Sequence, residues 1–302
     1  MSDLHATPVA PRGALPLLGK RGLGWLSWRL KRRHHYRPAV LEALLHDLAA
    51  IRHDHLAVTG DLTNVSLEDE FDAARRWLAR LGAPDAVTLV PGNHDAYVRV
   101  PEARSWALWS DYLASDAAGE ELCTELWGRE KAGALRFPSL RLVGPLALVG
   151  LCSARATLPL LAGGSLGDAQ RERLADLLRE LGARGRTRVV LVHHPPEPGA
   201  VAWRRALWDA DRLGQVLRRC GAELVLHGHM HRTRVGALPG PAGAVPVVGV
   251  RSASHRGGKP GRVARYHLYD FDGGRITLRA REFRPDAGDF ADSGEPPLVL
   301  AG

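Results

Sequence analysis

Five short fragments of the chain carry side chains that could bind metal ions and activate water. They are Asp3-Leu4-His5, Gly60-Asp61 with Asn64, Gly92-Asn93-His94-Asp95, His193-His194, and Gly228-His229-Met230-His231. Carboxylate and amide oxygens and neutral imidazole nitrogens hold divalent ions and leave coordination positions open for a substrate. Each fragment alone is also ordinary turn chemistry, so the inference depends on the whole set.

Apolar runs precede four of these fragments, at residues 56–58, 86–90, 188–192 and 223–226. Helical patterns alternate with the runs, at residues 38–52, 67–81, 168–181 and 209–219. This alternation predicts βαβ units and parallel strands, with Ser66 as the N-cap of the second helix. Ligands of open α/β sheets bind at the carboxyl ends of the strands. We therefore expect the fragments to meet at one rim of a sheet.

The order and spelling of the fragments resemble the calcineurin-like metallophosphoesterase superfamily, whose signature runs DxH, GDxxN or GDxxD, GNH, a strand-end His and GHxH. The resemblance extends from residue 3 to about residue 255. It implies an α/β fold, a four-layer α/β/β/α sandwich of two mixed sheets flanked by helices. We expect one domain over residues 1–284, followed by a polar, loosely ordered tail over residues 285–302.

The same resemblance implies a binuclear metal centre. By the family's pattern, Asp3, His5 and His231 hold one ion, while Asn93, His193 and His229 hold the other, and Asp61 bridges them. The expected cofactors are two divalent or mixed-valence ions, namely Mn, Fe or Zn. Such a pair supplies a bridging hydroxide as nucleophile and binds phosphate oxygens for in-line attack.

Four further residues near the ligands are expected to contact the substrate or to act in catalysis. His94 follows the Asn ligand, and we expect it either to stabilise charge on the reacting phosphate or to protonate the departing oxygen. We expect Asp95 to fix the tautomer of His94. Asn64 and His194 are the expected substrate-binding residues beside the metals.

A basic insert separates the first two metal-binding fragments. Residues 11–37 contain no acidic side chain, although the net charge of the whole chain is only +8. Trp25 and Trp28 accompany the cations, and we expect Arg29 and Arg33 to contact the substrate. Two interpretations remain open. The insert is either a surface arm packed over the domain or a lid that contacts a phosphate-rich ligand or an anionic membrane surface.

These features favour a phosphodiesterase that resembles the bacterial cyclic-nucleotide phosphodiesterases and glycerophosphodiesterases. The substrate is expected to be lipid-like or a cyclic nucleotide. A nuclease is the first alternative, ranked lower because the positive charge is concentrated in one segment and not spread along a groove. A non-catalytic scaffold that binds an acidic partner through the insert is the second. The oligomeric state is not indicated by the sequence.

Apolar runs and cysteines indicate the compartment. No apolar run approaches the ~20 residues that span a membrane, and the N-terminus has no signal-peptide pattern. Cys123, Cys152 and Cys220 are widely spaced, which argues against a disulfide framework. We expect a cytoplasmic protein, and only the interpretation in which the insert contacts an anionic surface would place it at the inner face of the membrane. Because only Met1-Ser2 precedes Asp3, we also expect the first core strand to begin upstream of Met1.

Overall fold

The computed structural model of the 302-residue chain describes residues 1–5, 8–11, 13, 17–129, 135–258 and 261–300. The α-helices are α1 Lys20–Leu30, α2 Pro38–Ala50, α3 Glu68–Leu81, α4 Ser110–Leu113, α5 Ala117–Trp127, α6 Asp168–Ala183 and α7 Ala210–Cys220. The strands are β1 Leu56–Val58, β2 Val87–Leu89, β3 Ser139–Val143, β4 Leu146–Gly150, β5 Thr187–Leu191, β6 Leu224–His227, β7 Arg234–Pro239, β8 Ala244–Gly249, β9 Arg265–Asp272, β10 Arg275–Arg284, β11 Asp289–Asp292 and β12 Leu298–Leu300.

One mixed sheet has six strands in the order β3-β4-β5-β6-β8-β7. Its inner strands β4, β5, β6 and β8 are parallel, whereas β3 and β7 run antiparallel at the two edges. The parallel centre follows from the helical crossovers α6 and α7, which return the chain to the same end of the sheet. This arrangement places the carboxyl ends of β5 and β6 side by side.

The second sheet layer combines two strand groups. Strands β1 and β2 are parallel, and β10 pairs antiparallel with β9, β11 and β12. Backbone hydrogen bonds through the first residues of the chain join the groups: Thr59 N donates to Met1 O at 3.0 Å, and Ala253 N donates to Ser2 O at 2.9 Å. The N-terminal residues therefore occupy a strand-like position next to β1.

Helices flank both sheet layers, which gives the four-layer arrangement. Leu148, Val189 and Leu191 of the six-stranded sheet pack against Ile276 and Leu278 of β10, so the two sheets share an apolar interior. Side chains from α5, α6 and α7 cover the other face of the six-stranded sheet. Helices α2 and α3 cover the second layer. The expected mixed α/β sandwich is confirmed.

Two local predictions differ from the structure. Helix α3 begins after Leu67, and the Glu70 carboxylate accepts from the backbone N–H groups of Asn64, Val65 and Leu67. Ser66 is therefore not the cap. It takes φ 58° in the preceding turn, where its hydroxyl donates to His94 O at 2.8 Å.

Residues 285–300 contain two strands, whereas the sequence had indicated a loosely ordered tail; residues 301 and 302 lie outside the described residues. Strands β11 and β12 pair with β10, and the side chains of Phe290 and Leu300 are buried. Phe290 packs between Tyr266 and Phe283, with ring centroids 5.7 and 5.5 Å away. Phe290 anchors β11 and the three apolar residues Leu298–Leu300 form β12, and both stretches are too short to give a periodic signal.

Part of the basic insert forms α1. The indole rings of Trp25 and Trp28 pack against a small apolar cluster formed by Val9, Val65 and Leu67. The opposite side of the helix exposes Leu23, Leu26 and Leu30. Residues 12 and 14–16 of the insert lie outside the described residues.

Candidate metal centre

The carboxyl ends of four strands bring the predicted ligands to one rim. Asp61, Asn93, His193 and His229 follow β1, β2, β5 and β6, respectively. Asp3 and His5 reach the same place because their segment runs beside β1: Asp3 N donates to Gly60 O at 2.9 Å, and His5 N donates to Asp61 O at 3.1 Å. The predicted convergence of the fragments is therefore seen in the geometry.

The ligand atoms form two groups that share one carboxylate. Asp3, His5, Asp61 and His231 place one ligand atom each within 4.8 Å of one another, and Asp61, His193 and His229 form a second such group. The Asn93 amide oxygen extends the second group, since it lies 3.0 Å from His193 Nε2 and 2.7 Å from His229 Nδ1. All seven predicted ligand residues lie together, with Asp61 between the two groups.

Backbone carbonyls orient two of the imidazole rings. His5 Nδ1 lies 2.9 Å from Thr63 O, and His193 Nδ1 lies 2.7 Å from Thr59 O. A carbonyl oxygen can only accept, so each Nδ1 carries the proton and each Nε2 presents a lone pair to the rim. Such outer contacts fix the tautomer of a metal-ligating His and direct its free nitrogen toward the ion.

The polar atoms at the rim fit bound cations. Burial, the largest effect, lowers the pKa of His5 to about 3, so its ring is neutral. Its Nε2 lone pair has no hydrogen-bond partner in the described part of the chain and faces the carboxylate oxygens of Asp61 and Asp3, at 3.6 and 3.9 Å. Lone pairs that converge in this way repel unless a cation lies between them.

The negative potential of the rim also appears at His193. Burial lowers the pKa of this imidazole, but the charges of Asp61 and Asp3 and hydrogen bonds to Asp61 and to Thr59 O outweigh that effect and raise the pKa to about 9. A site that holds a positive charge this strongly suits a divalent ion better than a protonated ring. The donor set and the potential both fit two metal ions.

Backbone strain accompanies the ligands. Five of them take a left-handed φ between 44° and 68°, a region that non-glycine residues seldom occupy: Asp3, His5, Asp61, His229 and His231. Neighbouring glycines make room for them, since a Cβ on Gly92 would clash with the Asp61 carboxylate and one on Gly228 with Ser2. Strain concentrated in this way is typical of functional sites.

His94 lies at the opening of the rim beside His5, with ring centroids 4.9 Å apart. Its backbone N–H donates to Asp61 Oδ1 at 2.7 Å, and its Nδ1 donates to Asn64 O at 2.5 Å. Its ring stacks on Tyr97 at 5.4 Å. Burial and the nearby Arg32 keep the pKa of His94 well below its usual range.

Asp95 does not contact the His94 ring, contrary to expectation. Its carboxylate accepts from the backbone N–H groups of Asp61, Leu62, Thr63 and Gly92, at 2.9 to 3.0 Å. Asp95 therefore holds the two ligand loops together, and the carbonyl of Asn64 fixes the tautomer of His94. Two sequence-adjacent residues of a tight turn point in different directions, which the sequence does not reveal.

The predicted substrate contacts of Asn64 and His194 also differ from their positions in the structure. The Asn64 amide donates to His5 O at 3.2 Å from a fully buried position. His194 is equally buried, with Nδ1 2.8 Å from Ser153 Oγ and Nε2 3.1 Å from Ala162 O. Both side chains support the ligand loops from behind.

The cations of the basic insert are arranged differently from expectation. Arg29 and Arg33 are exposed; Arg29 lies 5.2 Å from the Trp25 ring, and Arg33 bonds His34. Arg32, between them, reaches the site, and its guanidinium donates to His94 Nε2 at 3.1 Å. The sequence shows three consecutive cations, Lys31, Arg32 and Arg33, but the turn after α1 decides which of them points toward the site.

The insert makes two more contacts with the site and its surroundings. Tyr36 places its hydroxyl 3.0 Å from His231 Nδ1 and so orients a metal ligand. Lys20 donates to Thr157 Oγ1 at 2.7 Å and to Leu161 O at 3.2 Å, and its ammonium lies 4.3 Å from the centre of the Tyr97 ring. The sequence singled out neither residue, because each acts through a contact distant in the chain.

Comparisons with known proteins agree with this geometry. The profile described as calcineurin-like phosphoesterase matches residues 1–233. A dimetal phosphatase from Danio rerio has a similar structure, with a TM-score of 0.55, 14% identity, and coverage of 88% of this chain and 90% of that one. A 5'-nucleotidase precursor from Thermus thermophilus aligns with a TM-score of 0.42 and 18% identity over 88% of this chain and 49% of that one. No curated protein matches the sequence.

The chain belongs to the calcineurin-like phosphoesterase family, a class of metal-dependent hydrolases of phosphoric esters with a dimetal centre. Its candidate ligand groups lie within the matched residues. Within the described ranges, none of its helices combines the length and the apolar character needed to cross a bilayer.

Proposed function

We propose that the protein is a phosphodiesterase whose reaction takes place between the Asp61 carboxylate and the Arg32 guanidinium. The observation that carries this proposal is that Asp61 is shared by two buried ligand groups, while Arg32 and His94 cover the same rim from the opposite side. A phosphate group placed there would meet anion-binding groups on both sides. The ligand residues are those predicted from the sequence: Asp3, His5, Asp61, Asn93, His193, His229 and His231.

Two divalent ions, of Mn, Fe or Zn, would supply Lewis acidity, an activated water and contacts to phosphate oxygens. The chain holds them in a fixed arrangement. Asp3, His5 and His231 would hold one ion, Asn93, His193 and His229 would hold the other, and the Asp61 carboxylate is placed to serve both groups. The carbonyls of Thr59 and Thr63 and the Tyr36 hydroxyl keep His193, His5 and His231 in the required orientations.

His94 and Arg32 act on the charge of the phosphate. Nδ1 of His94 donates to Asn64 O, so Nε2 is the acceptor that receives the Arg32 guanidinium. In this tautomer Nε2 has no proton for the departing oxygen. Of the two roles expected for His94, the geometry therefore favours stabilisation of charge, which His94 supports indirectly: its Nε2 holds the planar Arg32 guanidinium, the group that contacts phosphate oxygens.

The insert also favours a diester over a monoester. A phosphodiester carries a single negative charge, which one guanidinium matches, and its second ester group extends away from the metals toward the insert. The outer surface of α1 offers leucine side chains and arginines to that group. This composition fits an amphiphilic substrate with a lipid part, and a cyclic nucleotide is the second candidate.

A substrate panel tests the proposal. Protein loaded with Mn is assayed on bis-p-nitrophenyl phosphate, p-nitrophenyl phosphate, cyclic nucleotides, glycerophosphodiesters, phospholipids, nucleoside-diphosphate lipids and DNA. We expect hydrolysis of the diesters, faster than that of the monoester, and the fastest turnover with a lipid-containing compound. Preference for DNA would instead identify a nuclease. Tight metal binding without turnover on any compound would favour the scaffold.

A further inference from the structure

Exposed apolar side chains are concentrated on one surface. Ten large apolar residues of the described chain lie exposed, and seven of them belong to three segments, 17–30, 158–160 and 203. The most exposed are Leu160 at 80%, Leu158 at 73%, Leu18 at 71% and Trp203 at 66%. Single exposed leucines are normal on soluble proteins, but clustering of this kind marks an interaction site.

Direct contacts join the three segments. Lys20, at the start of α1, bonds Thr157 and the carbonyl of Leu161, which brings α1 to the loop that carries Leu158 and Leu160. The same loop continues to Trp203, because Ala162 N donates to Arg204 O at 2.8 Å. We call the exposed side chains of Leu18, Leu23, Leu26, Leu158, Leu160 and Trp203 the apolar rim.

Leu160 gives a second indication of function. It takes φ 67°, a left-handed conformation that is unfavourable for a side chain with a Cβ, and it is the most exposed of these residues. Glycine or asparagine would fit such a turn without this cost. An apolar residue that is both strained and exposed contributes nothing to the folded monomer, so its value lies in a contact outside the chain.

The charged side chains on the segments that carry the apolar rim have one sign. Residues 17–37, 155–166 and 198–208 contain no Asp or Glu. Arg29, Arg33, Arg155, Arg204 and Arg205 lie exposed among the apolar side chains. We propose that the apolar rim and these arginines dock on the surface of an anionic phospholipid bilayer, with leucine and tryptophan side chains at the acyl boundary and the arginines at the head groups.

A bilayer explains the composition better than a protein partner does. A second copy of the chain, paired through this surface by a two-fold axis, would bring like charges together without compensation. An acidic protein would satisfy the arginines, but its acidic side chains would not cover the protruding leucines. A bilayer takes up both kinds of side chain at once, and the indole of Trp203 suits its interface.

Docking would place the site against the head groups. The insert that carries Leu23 and Leu26 also carries Arg32, which bonds His94. The loop that carries Leu158 and Leu160 contacts His194 through the carbonyl of Ala162. The insert thus reaches the opening of the site through Arg32, whereas the loop reaches His194 behind the ligand loops. This inference rests on the proposed function only in naming lipid head groups as the substrate class.

Co-sedimentation with vesicles tests the docking. We expect the wild-type chain to pellet with phosphatidylcholine vesicles that contain phosphatidylglycerol, to remain in solution with phosphatidylcholine alone, and to be released as salt is raised. Leu158→Ser with Leu160→Ser should lower the partition coefficient about tenfold. Arg29→Glu with Arg33→Glu should lower it by about tenfold or more. The matched control is Leu298→Ser with Val299→Ser, an equally conservative pair exposed on β12, which should bind as wild type does.

Three outcomes would overturn the docking. The first is a wild type that stays in solution with anionic vesicles, and the second is a Leu158→Ser and Leu160→Ser variant that binds unchanged. The third is polyglutamate that binds as tightly as vesicles do, regardless of those substitutions. Turnover of bis-p-nitrophenyl phosphate is measured in parallel. Loss of vesicle binding with normal turnover in the leucine variant supports the docking, whereas vesicle binding by a wild type that lacks turnover contradicts the proposed function alone.

Discussion

Asp61 and Arg32 lie on opposite sides of the same site, but the chain specifies them in different ways. Asp61 follows a strand in a motif whose residue types are set by metal chemistry, and its backbone takes a strained φ of 58°. Arg32 follows α1 in a run of cations, and its position depends on where the helix ends. The positions of the predicted metal ligands therefore follow from short sequence motifs, whereas the position of Arg32 depends on how the insert packs against the domain.

This difference has an energetic counterpart. The rim is buried and held by many hydrogen bonds from backbone groups, so its geometry changes little when one surface residue changes. The insert is held by contacts of Lys20, Arg21, Trp25, Trp28 and Tyr36, and only Lys20 and Gly24 of α1 are buried. Segments held by few buried contacts open more readily than a core does, which is what a covering element requires.

The largest effect is expected at the shared ligand. Asp61→Asn keeps the shape of the side chain but removes the charge that both ligand groups use, and we expect loss of metal together with a decrease in kcat/KM of about 10³-fold or more. Metal content by mass spectrometry and turnover of bis-p-nitrophenyl phosphate measure both. Asp54→Asn, at an exposed position, should change neither. Retention of two ions by the Asp61 variant would contradict the bridging role.

The metal rim was the part best predicted from the sequence. Asp3, Asp61 and His229 could be placed because parallel strands end at one edge, and five fragments in order leave little room for another arrangement. Asp95 and His194 could not be placed, because Asp95 lies two residues after the ligand Asn93 and His194 one residue after the ligand His193, and a tight turn sends each side chain to the other side. The pairing of β12 was missed for another reason: its apolar content is limited to three residues.

The second largest effect on turnover is expected at Arg32, and we expect its neighbour Arg33 to lack this effect. Arg32→Ala should lower kcat by about 10²-fold, as for the loss of one donor to developing charge, while two ions remain bound. Arg32→Lys should recover only part of the rate, because an ammonium cannot make paired contacts to phosphate oxygens.

Arg33→Ala is the matched control for Arg32, since Arg33 is exposed one position later. It should leave kcat within about twofold on a soluble diester, as expected for a side chain away from the reacting groups. Steady-state kinetics at saturating Mn compare the variants. Equal losses for Arg32→Ala and Arg33→Ala would mean that the insert acts by general positive charge and not through one placed guanidinium.

The third largest effect is expected at Tyr36, the residue of the insert that contacts the predicted metal ligand His231. Tyr36→Phe removes the hydroxyl that lies 3.0 Å from His231 Nδ1. We expect metal affinity to fall about tenfold, with turnover restored by excess metal, as for other changes behind a ligating histidine. Titration of activity with Mn measures this. Tyr97→Phe is the control, and a lower kcat at saturating Mn in the Tyr36 variant would show a role beyond support of His231.

The smallest effect is expected at Lys20, which anchors the insert. Burial lowers the pKa of this ammonium from its ordinary value to about 8. Between that value and the ordinary pKa of an unfolded lysine, the unfolded chain binds more protons, so the Lys20 contribution to the free energy of unfolding rises with pH. Urea unfolding at pH 7 and pH 10 measures it as the difference between wild type and Lys20→Met. We expect the wild type to gain about 1 kcal/mol or less relative to the variant.

Lys31→Met, at an exposed position next to the end of α1, should show no such change. A relative loss of stability by the wild type at pH 10 would mean that the charged contacts of Lys20 outweigh its burial.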